Sequence, residues 1–271
     1  MNHPVFAKGR VAVVSGAASG IGLAACKKFA AAGMKICMTD ITADDLAAAA
    51  EPLKSQTDVI SVVADVANME QMEGLCETVY GAFGDVAVLM NNAATRQPVG
   101  CWEGYEAWQK TLHVNLWGGI NGVQAFAPHM IKQAMPSAII NTGSKQGITN
   151  PPGNPPYNVA KAAVKSYTEL LQHELRNSED CQVTAHLLVP GWTTTGKADH
   201  KPGAWLPAQV IEKMVAGVSA NDFYIICPDD ETTPEMDRQR ILWSAQDITE
   251  NRPPLSRWHP DYKQLFEDYS S

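Results

Sequence analysis

The sequence predicts the α/β class: a single doubly wound domain in which a seven-stranded parallel sheet is flanked by helices. Three observations carry this. Short β-branched, apolar runs alternate with amphipathic helical stretches, a pattern that calls for crossover connections and a parallel sheet. The first apolar run leads straight into a glycine-rich turn that opens a helix. With 271 residues, the chain can bury a substantial core without metals or disulfides, and no repeat or low-complexity linker divides it.

Taken in order, the strands are expected at residues 10–15, 34–39, 59–64, 86–90, 138–142, 183–189 and 223–227. Val11 to Val14 is continuously apolar, as a strand covered on both faces must be. Gly33 closes the helix after it as a C-cap, and Thr42 with Asp45 resembles a capping box opening the next. Long helices are expected over Tyr105–Met130 and Pro156–Asn177. After about Pro228 the composition turns acidic, proline-rich and aromatic, so residues 228–271 read as an extension packed on the domain or on a neighbouring subunit. Within it Pro260 can start a helix whose Tyr262, Leu265, Phe266 and Tyr269 share one face, and such a face needs cover.

Composition excludes several classes. A net charge of −8 and the lack of a basic stripe argue against nucleic acid. The apolar runs Val11–Val14 and Val86–Met90 fall far short of the roughly 18 residues of a membrane span. Met1–Arg10 holds no long apolar core of a secretory signal, so the expected location is cytoplasmic. Six cysteines, Cys26, Cys37, Cys76, Cys101, Cys181 and Cys227, are scattered without metal-ligand spacing and are expected to be buried and reduced. Five carboxylates between Asp229 and Asp237 read as a solvated surface segment, and no metal is expected.

The turn Ser15-Gly16-Ala17-Ala18-Ser19-Gly20-Ile21-Gly22 has the context of a Rossmann-like dinucleotide fingerprint. Small residues let the backbone approach a pyrophosphate, which free N–H groups and the positive end of the helix dipole stabilise. Asp40 ends the second strand, where a carboxylate accepts hydrogen bonds from ribose hydroxyls and repels a 2′-phosphate. Ser19 stands just before Gly20, where no cation is available for that phosphate. NAD is therefore favoured over NADP. Downstream, Tyr157 and Lys161 are one helical turn apart and can act on one bound molecule, with Ser144 thirteen residues before Tyr157. An alcohol cannot give up hydride until its proton has somewhere to go. Tyr157 is the candidate acid/base, brought down from about 10 by the Lys161 charge, and Ser144 the candidate donor to the reacting oxygen.

From about Val11 to Thr195 the chain resembles the short-chain dehydrogenase/reductase family. The resemblance rests on SGAASGIG for TGxxxGxG, Asp65-Val66, Asn91-Asn92-Ala93-Ala94 for NNAG, Asn115 in HVNLWGG, Ser144, Tyr157-Asn158-Val159-Ala160-Lys161, and Pro190-Gly191 with Thr193 and Thr195. Ser15, Ala94 and Gly143 depart from its pattern without removing a catalytic group. The resemblance implies catalysis by Asn115, Ser144, Tyr157 and Lys161, with Asn115 anchoring a water between Lys161 and solvent. It implies a cofactor held by Gly16, Ser19, Gly20, Ile21, Gly22, Asp40, Ile41, Asp65, Val66, Asn92, Ala93, Tyr157, Lys161, Pro190, Gly191, Thr193 and Thr195. It also implies a homotetramer or homodimer formed through the two long helices.

Substrate choice should lie in residues 95–102, 145–156 and 192–205, at the carboxyl ends of the strands. Four prolines between Pro151 and Pro156 stiffen one wall, and the last segment has the character of a lid. Trp192 and Trp205 point to a bulky apolar or aromatic secondary alcohol or ketone. Arg96, Lys145, Lys197 and His200 would admit a carboxylate. Alternative readings are an NADPH-dependent carbonyl or imine reductase and a non-catalytic nucleotide-sensing protein.

Overall fold

The computed structural model describes residues 3–196 and 199–269. Its strands are β1 (Val11–Ser15), β2 (Lys35–Asp40), β3 (Val59–Val63), β4 (Val88–Asn91), β5 (Ser137–Thr142), β6 (Val183–Val189) and β7 (Tyr224–Ile226). They form one seven-stranded sheet in the order β3-β2-β1-β4-β5-β6-β7, and every neighbouring pair is parallel. The seven expected strands are all present, with ends shifted by a residue or two. The order reverses between β1 and β4, so a crevice opens there at the carboxyl ends of the strands.

The helices that precede the lid segment are α1 (Gly20–Ala31), α2 (Ala43–Ala50), α3 (Met69–Phe83), α4 (Tyr105–Leu112), α5 (Gly118–Lys132), α6 (Gln146–Thr149) and α7 (Pro155–Asn177). Beyond it come α8 (Pro207–Ser219), α9 (Pro234–Thr249) and α10 (Lys263–Tyr269). Successive β1 side chains point to opposite faces of the sheet. Ala12 and Val14 enter a core with Phe29, Met38 and Met214, while Val11 and Val13 enter a second with Leu75, Phe126 and Leu175. Burial on both faces explains why β1 reads as an unbroken apolar run.

Local chemistry sets the boundaries. Gly33 takes φ +75° just past α1, and Met34 N–H reaches back to the Phe29 carbonyl at 3.1 Å, a glycine-closed helix end as expected. Thr42 is the N-cap of α2, but its side chain accepts no capping hydrogen bond, so the reciprocal box does not form. The long helix expected over 105–130 is broken into α4 and α5 by a π turn at His113–Trp117, with Asn115 inside it. The C-terminal helix expected from Pro260 divides into a 3₁₀ turn, Pro260–Tyr262, and α10. Its aromatic face is partly covered by the chain itself. Phe266 and Tyr269 pack against the buried Trp243 of α9 at 5.2 and 5.3 Å between ring centroids, whereas Leu265 stays exposed.

Of the cysteines, Cys26, Cys37, Cys76 and Cys227 are buried, Cys181 is half-buried and Cys101 is exposed, which corrects the expectation for that position. No helix among the described residues is long and apolar enough to cross a membrane.

Candidate active site

The glycine turn links β1 to α1 at the crevice. Gly16 takes φ +65°, and a Cβ on it would come 2.9 Å from the Ala93 Cα. A Cβ on Gly22 would come 2.2 Å from the Gly16 carbonyl oxygen, so these two positions have no room for a side chain. Ser19 is the N-cap of α1 without capping through its side chain, and the first turn carries no acidic residue. Gly20 packs against Thr195, whose Cβ lies 3.2 Å from the position a Gly20 Cβ would take. Asp40 ends β2 facing the turn, its Oδ2 accepting from Ala18 N–H at 3.0 Å and its Oδ1 from Ile41 N–H at 2.8 Å. The Ile41 side chain beside it is exposed.

Ser15 keeps the work that a threonine hydroxyl could do here. Its Oγ accepts from Asn92 N–H at 2.9 Å and Ala93 N–H at 3.2 Å, and donates to the Met90 carbonyl. Asn92 in turn donates its side-chain amide to the Ser15 carbonyl at 3.1 Å. These bonds tie the end of β4 to the glycine turn across the switch point. Asp65 lies just beyond β3, its Oδ1 accepting from Ala67 N–H at 2.9 Å, and the Val66 carbonyl accepts from the buried Asn121 amide at 2.9 Å. At the end of β6, Thr193 donates to the Gly191 carbonyl. Gly191, next to Pro190, has no room for a Cβ, which would stand 2.6 Å from Asp229 Oδ2.

Tyr157, Lys161 and Ser144 converge. Tyr157 and Lys161 project from one face of α7 and are both buried, Lys161 only 2% exposed. The Lys161 ammonium lies 5.7 Å from the Tyr157 ring centroid and donates to the Thr142 carbonyl at 2.7 Å. Burial alone would push the Tyr157 phenol up; the Lys161 charge, then the Arg96 charge and hydrogen bonds from Arg96 and Ser144, outweigh it and hold the phenol below its ordinary value. Burial pulls the Lys161 ammonium down, opposed by Tyr157 and reinforced by Arg96. Ser144 Oγ also accepts from Gln146 N–H at 3.2 Å, so it is both a strand-end cap and a neighbour of Tyr157. Asn115 is 3% exposed, and its side chain bonds both backbone groups of Thr95, at 2.7 and 2.9 Å.

Two of the three segments flanking the crevice are pinned by hydrogen bonds. Asn158 in α7 holds the proline-rich wall by donating to Pro151 O at 2.6 Å and Asn150 Oδ1 at 3.0 Å. The lid is pinned at its base, where Trp205 N–H donates to Trp192 O at 2.8 Å and Thr194 N–H to Trp205 O at 3.0 Å. Trp205 packs against the core below, while Trp192 is 43% exposed. Lys197 lies outside the described residues. His200 Nδ1 sits 3.3 Å from Thr194 Oγ1 within the lid.

Lys145 overturns an expectation. Its ammonium lies 2.7 Å from Asp237 Oδ2 and 3.4 Å from Asp229 Oδ2, both carboxylates being buried. The acidic segment is therefore not wholly solvated: two of its five carboxylates are drawn inside by a cation that had been counted as free for a substrate. Asp229 also accepts from Trp192 N–H at 2.9 Å, fixing the start of the lid. Burial opposes ionisation of Asp229, but that bond and Lys145 prevail and hold it low, whereas at Asp237 burial wins and the carboxyl is raised.

Sequence reasoning missed a polar chain beneath the site. Asn91 donates to Asn141 at 2.9 Å, Asn141 to Thr168 at 3.0 Å, and Thr168 to the Val164 carbonyl at 2.7 Å. The signal available was Asn141-Thr142 ending an otherwise apolar strand.

A sheet with its switch point at a glycine turn, and a buried Tyr-Lys pair with a half-buried serine beside it, define a class of oxidoreductase. The chain belongs to the short chain dehydrogenase family, whose profile matches residues 10–202. Among its relatives is the 1-deoxy-11-beta-hydroxypentalenate dehydrogenase of Streptomyces exfoliatus, 30% identical over 92% of this chain and 94% of that protein. Its fold is shared with a short chain dehydrogenase/reductase from Burkholderia phymatum in complex with NAD, at TM-score 0.84 and 30% identity over 91% of this chain and 96% of that one. It is also shared with the L-sorbose reductase from Gluconobacter frateurii complexed with NADPH and L-sorbose, at TM-score 0.72 and 26% identity over 81% and 93% of the two chains.

Proposed function

We propose that the protein transfers hydride between a secondary alcohol or ketone and a nicotinamide dinucleotide, with NAD favoured and the substrate bulky and apolar or aromatic. The observation that carries this is the meeting of Tyr157, Ser144 and buried Lys161, in which a phenol is held below its ordinary value beside the crevice. The residues present fit a dinucleotide. Gly16 and Gly22 leave a cradle that a Cβ would fill, and the uncapped start of α1 suits a pyrophosphate. Gly16, Ser19, Gly20, Ile21 and Gly22 would hold that group, with Thr193, Thr195, Pro190 and Gly191 closing over it. Asp40 would take the adenosine ribose, Ile41, Asp65 and Val66 the adenine, and Asn92, Ala93, Tyr157 and Lys161 the nicotinamide end.

When bound, the nicotinamide supplies the hydride acceptor or donor. The protein's own residues manage the proton. Tyr157 Oη takes the hydroxyl proton during oxidation and returns it during reduction. Lys161 keeps the phenolate favourable, and Ser144 donates to the substrate oxygen as charge grows on it. A relay from Lys161 to solvent past Asn115 belongs to the same proposal. Because the Asn115 side chain is engaged on Thr95, water there would use main-chain groups of the π turn.

The NAD preference is supported by Asp40 and by the absence of a cation at Ser19. Side-by-side titration with NADH and NADPH, read as energy transfer from tryptophan to the nicotinamide, tests it. NADH is expected to bind more tightly, and Asp40→Asn is expected to narrow the difference by about tenfold, the worth of a charged hydrogen bond. Tighter NADPH binding by the unaltered protein would instead favour a carbonyl or imine reductase.

A further inference from the structure

We propose that Arg96 is the substrate-recognising cation of this site, and that the carbinol it serves carries a carboxylate on the carbinol carbon or one carbon further. This rests on the assignment of Tyr157 and Ser144 as the groups that hold the reacting oxygen.

Four cations flank the crevice in the sequence, and their placements differ. Lys145 is consumed by Asp229 and Asp237, and His200 is turned onto Thr194 in the lid. Arg96 is exposed, with its guanidinium carbon 4.6 Å above the Tyr157 ring. Among the described residues no carboxylate oxygen lies within 4.0 Å of that guanidinium. Its place is not accidental to a floppy loop, because the preceding residue, Thr95, is clamped through both backbone groups by Asn115 of the π turn.

An exposed guanidinium stacked on an aromatic ring is weakly held. A carboxylate offers it a bidentate, charge-assisted pair, which is stronger. The stacking therefore acts as a resting place from which an incoming anion can draw the side chain. The stacking sets the guanidinium directly beside the buried Tyr157 side chain. A carbinol oxygen on Tyr157 and a carboxylate on Arg96 would each sit one hydrogen bond, about 2.7–3.0 Å, from the neighbouring side chain. That spacing suits a 2- or 3-hydroxy acid and not one with the charge at the far end of a long chain. With a net charge of −8, the protein as a whole repels anions, so recognition has to come from a local cation.

The test uses two racemic pairs as probes: mandelate and its methyl ester, and 3-hydroxy-3-phenylpropanoate and its methyl ester. Each is titrated against the protein–NADH complex, read by nicotinamide fluorescence. For at least one pair the acid is expected to bind about 10- to 100-fold more tightly than its ester, the range for a hydrogen bond to a charged group. Arg96→Gln is expected to bring the ratio to about one, and Arg96→Lys, which keeps the charge but loses the fork, to leave an intermediate ratio. NADH binding by each variant reports that it is folded. Acids that bind no more tightly than esters, a preference that survives in Arg96→Gln, or no binding by any of the four would overturn the proposal. Failure of the redox assignment looks different: Arg96-dependent binding of the acids without NAD-linked turnover.

Discussion

Tyr157 is where burial and charge compete, and the outcome determines how the enzyme should respond to pH. On the proposed mechanism oxidation needs the phenolate, so activity falls as pH falls through the apparent pKa of the coupled Tyr157–Lys161 pair. Burial works against the phenolate, but Lys161, Arg96 and the Ser144 hydroxyl face the ring and together hold it below the ordinary phenol value, near about 10. The acid limb of the kcat/KM profile for oxidation is therefore expected below pH 10. In Arg96→Gln the cation stacked on the ring is lost, and the limb should move to higher pH; an unmoved limb measured on a neutral alcohol would show that Arg96 exerts no field on the phenol. Tyr157→Phe removes the proposed proton acceptor and should cost about 10²–10⁴-fold in turnover, with NADH binding retained in the same titration. Residual turnover at the wild-type rate would place the acid/base elsewhere. Tyr157 and Lys161 are legible in the sequence as a pair because spacing on one helix face fixes which side chains meet. Arg96 reads only as one of four loop cations, since no local pattern tells which of them will find a carboxylate partner.

Among the elements, the sheet and its crossovers could be read directly, because two-sided burial writes continuous apolar strands and glycine marks the turns. The π turn could not. It is tied to the Thr95 backbone, which Asn115 reaches from another part of the chain, and no local pattern announces that contact. The Lys145 cluster was hidden for the same reason: it joins the end of β5 to the start of α9 and to the segment after β7, and charge alone gives no hint of which carboxylates turn inward. Its energetics follow from burial. With Lys145 17% exposed and the Asp229 and Asp237 side chains 4% and 9% exposed, Lys145→Met leaves carboxylates without their cation and is expected to destabilise the fold by about 3–5 kcal/mol. Urea denaturation monitored by tryptophan fluorescence measures this, and a loss under about 1 kcal/mol would mean that the carboxylates are solvated in solution, as a surface pair would be.

For the whole molecule, the two long helical stretches are among the places where apolar side chains reach the surface. Trp117 in the π turn, and Val159 and Leu170 on α7, are 48%, 47% and 61% exposed on the two long helical stretches. Their exposure is what supports the proposal of a homo-oligomer assembled through those helices, where a second subunit would cover them. Light scattering coupled to gel filtration should give a dimer or tetramer mass, and Leu170→Asp should lower it; a monomer from the unaltered chain would refute the assembly. The C-terminal extension has a separate role inside one subunit. Asp229 bonds Lys145 across 84 residues of sequence, while Asp230 N–H bonds Gly203 O in the lid at 3.0 Å. The consequence is one of timing. A chain still being made on the ribosome can complete its sheet centre and glycine turn early, yet the loop beside Ser144 stays unclamped until the segment carrying Asp229 and Asp237 has emerged. A truncation that removes this segment would release that loop and the start of the lid together.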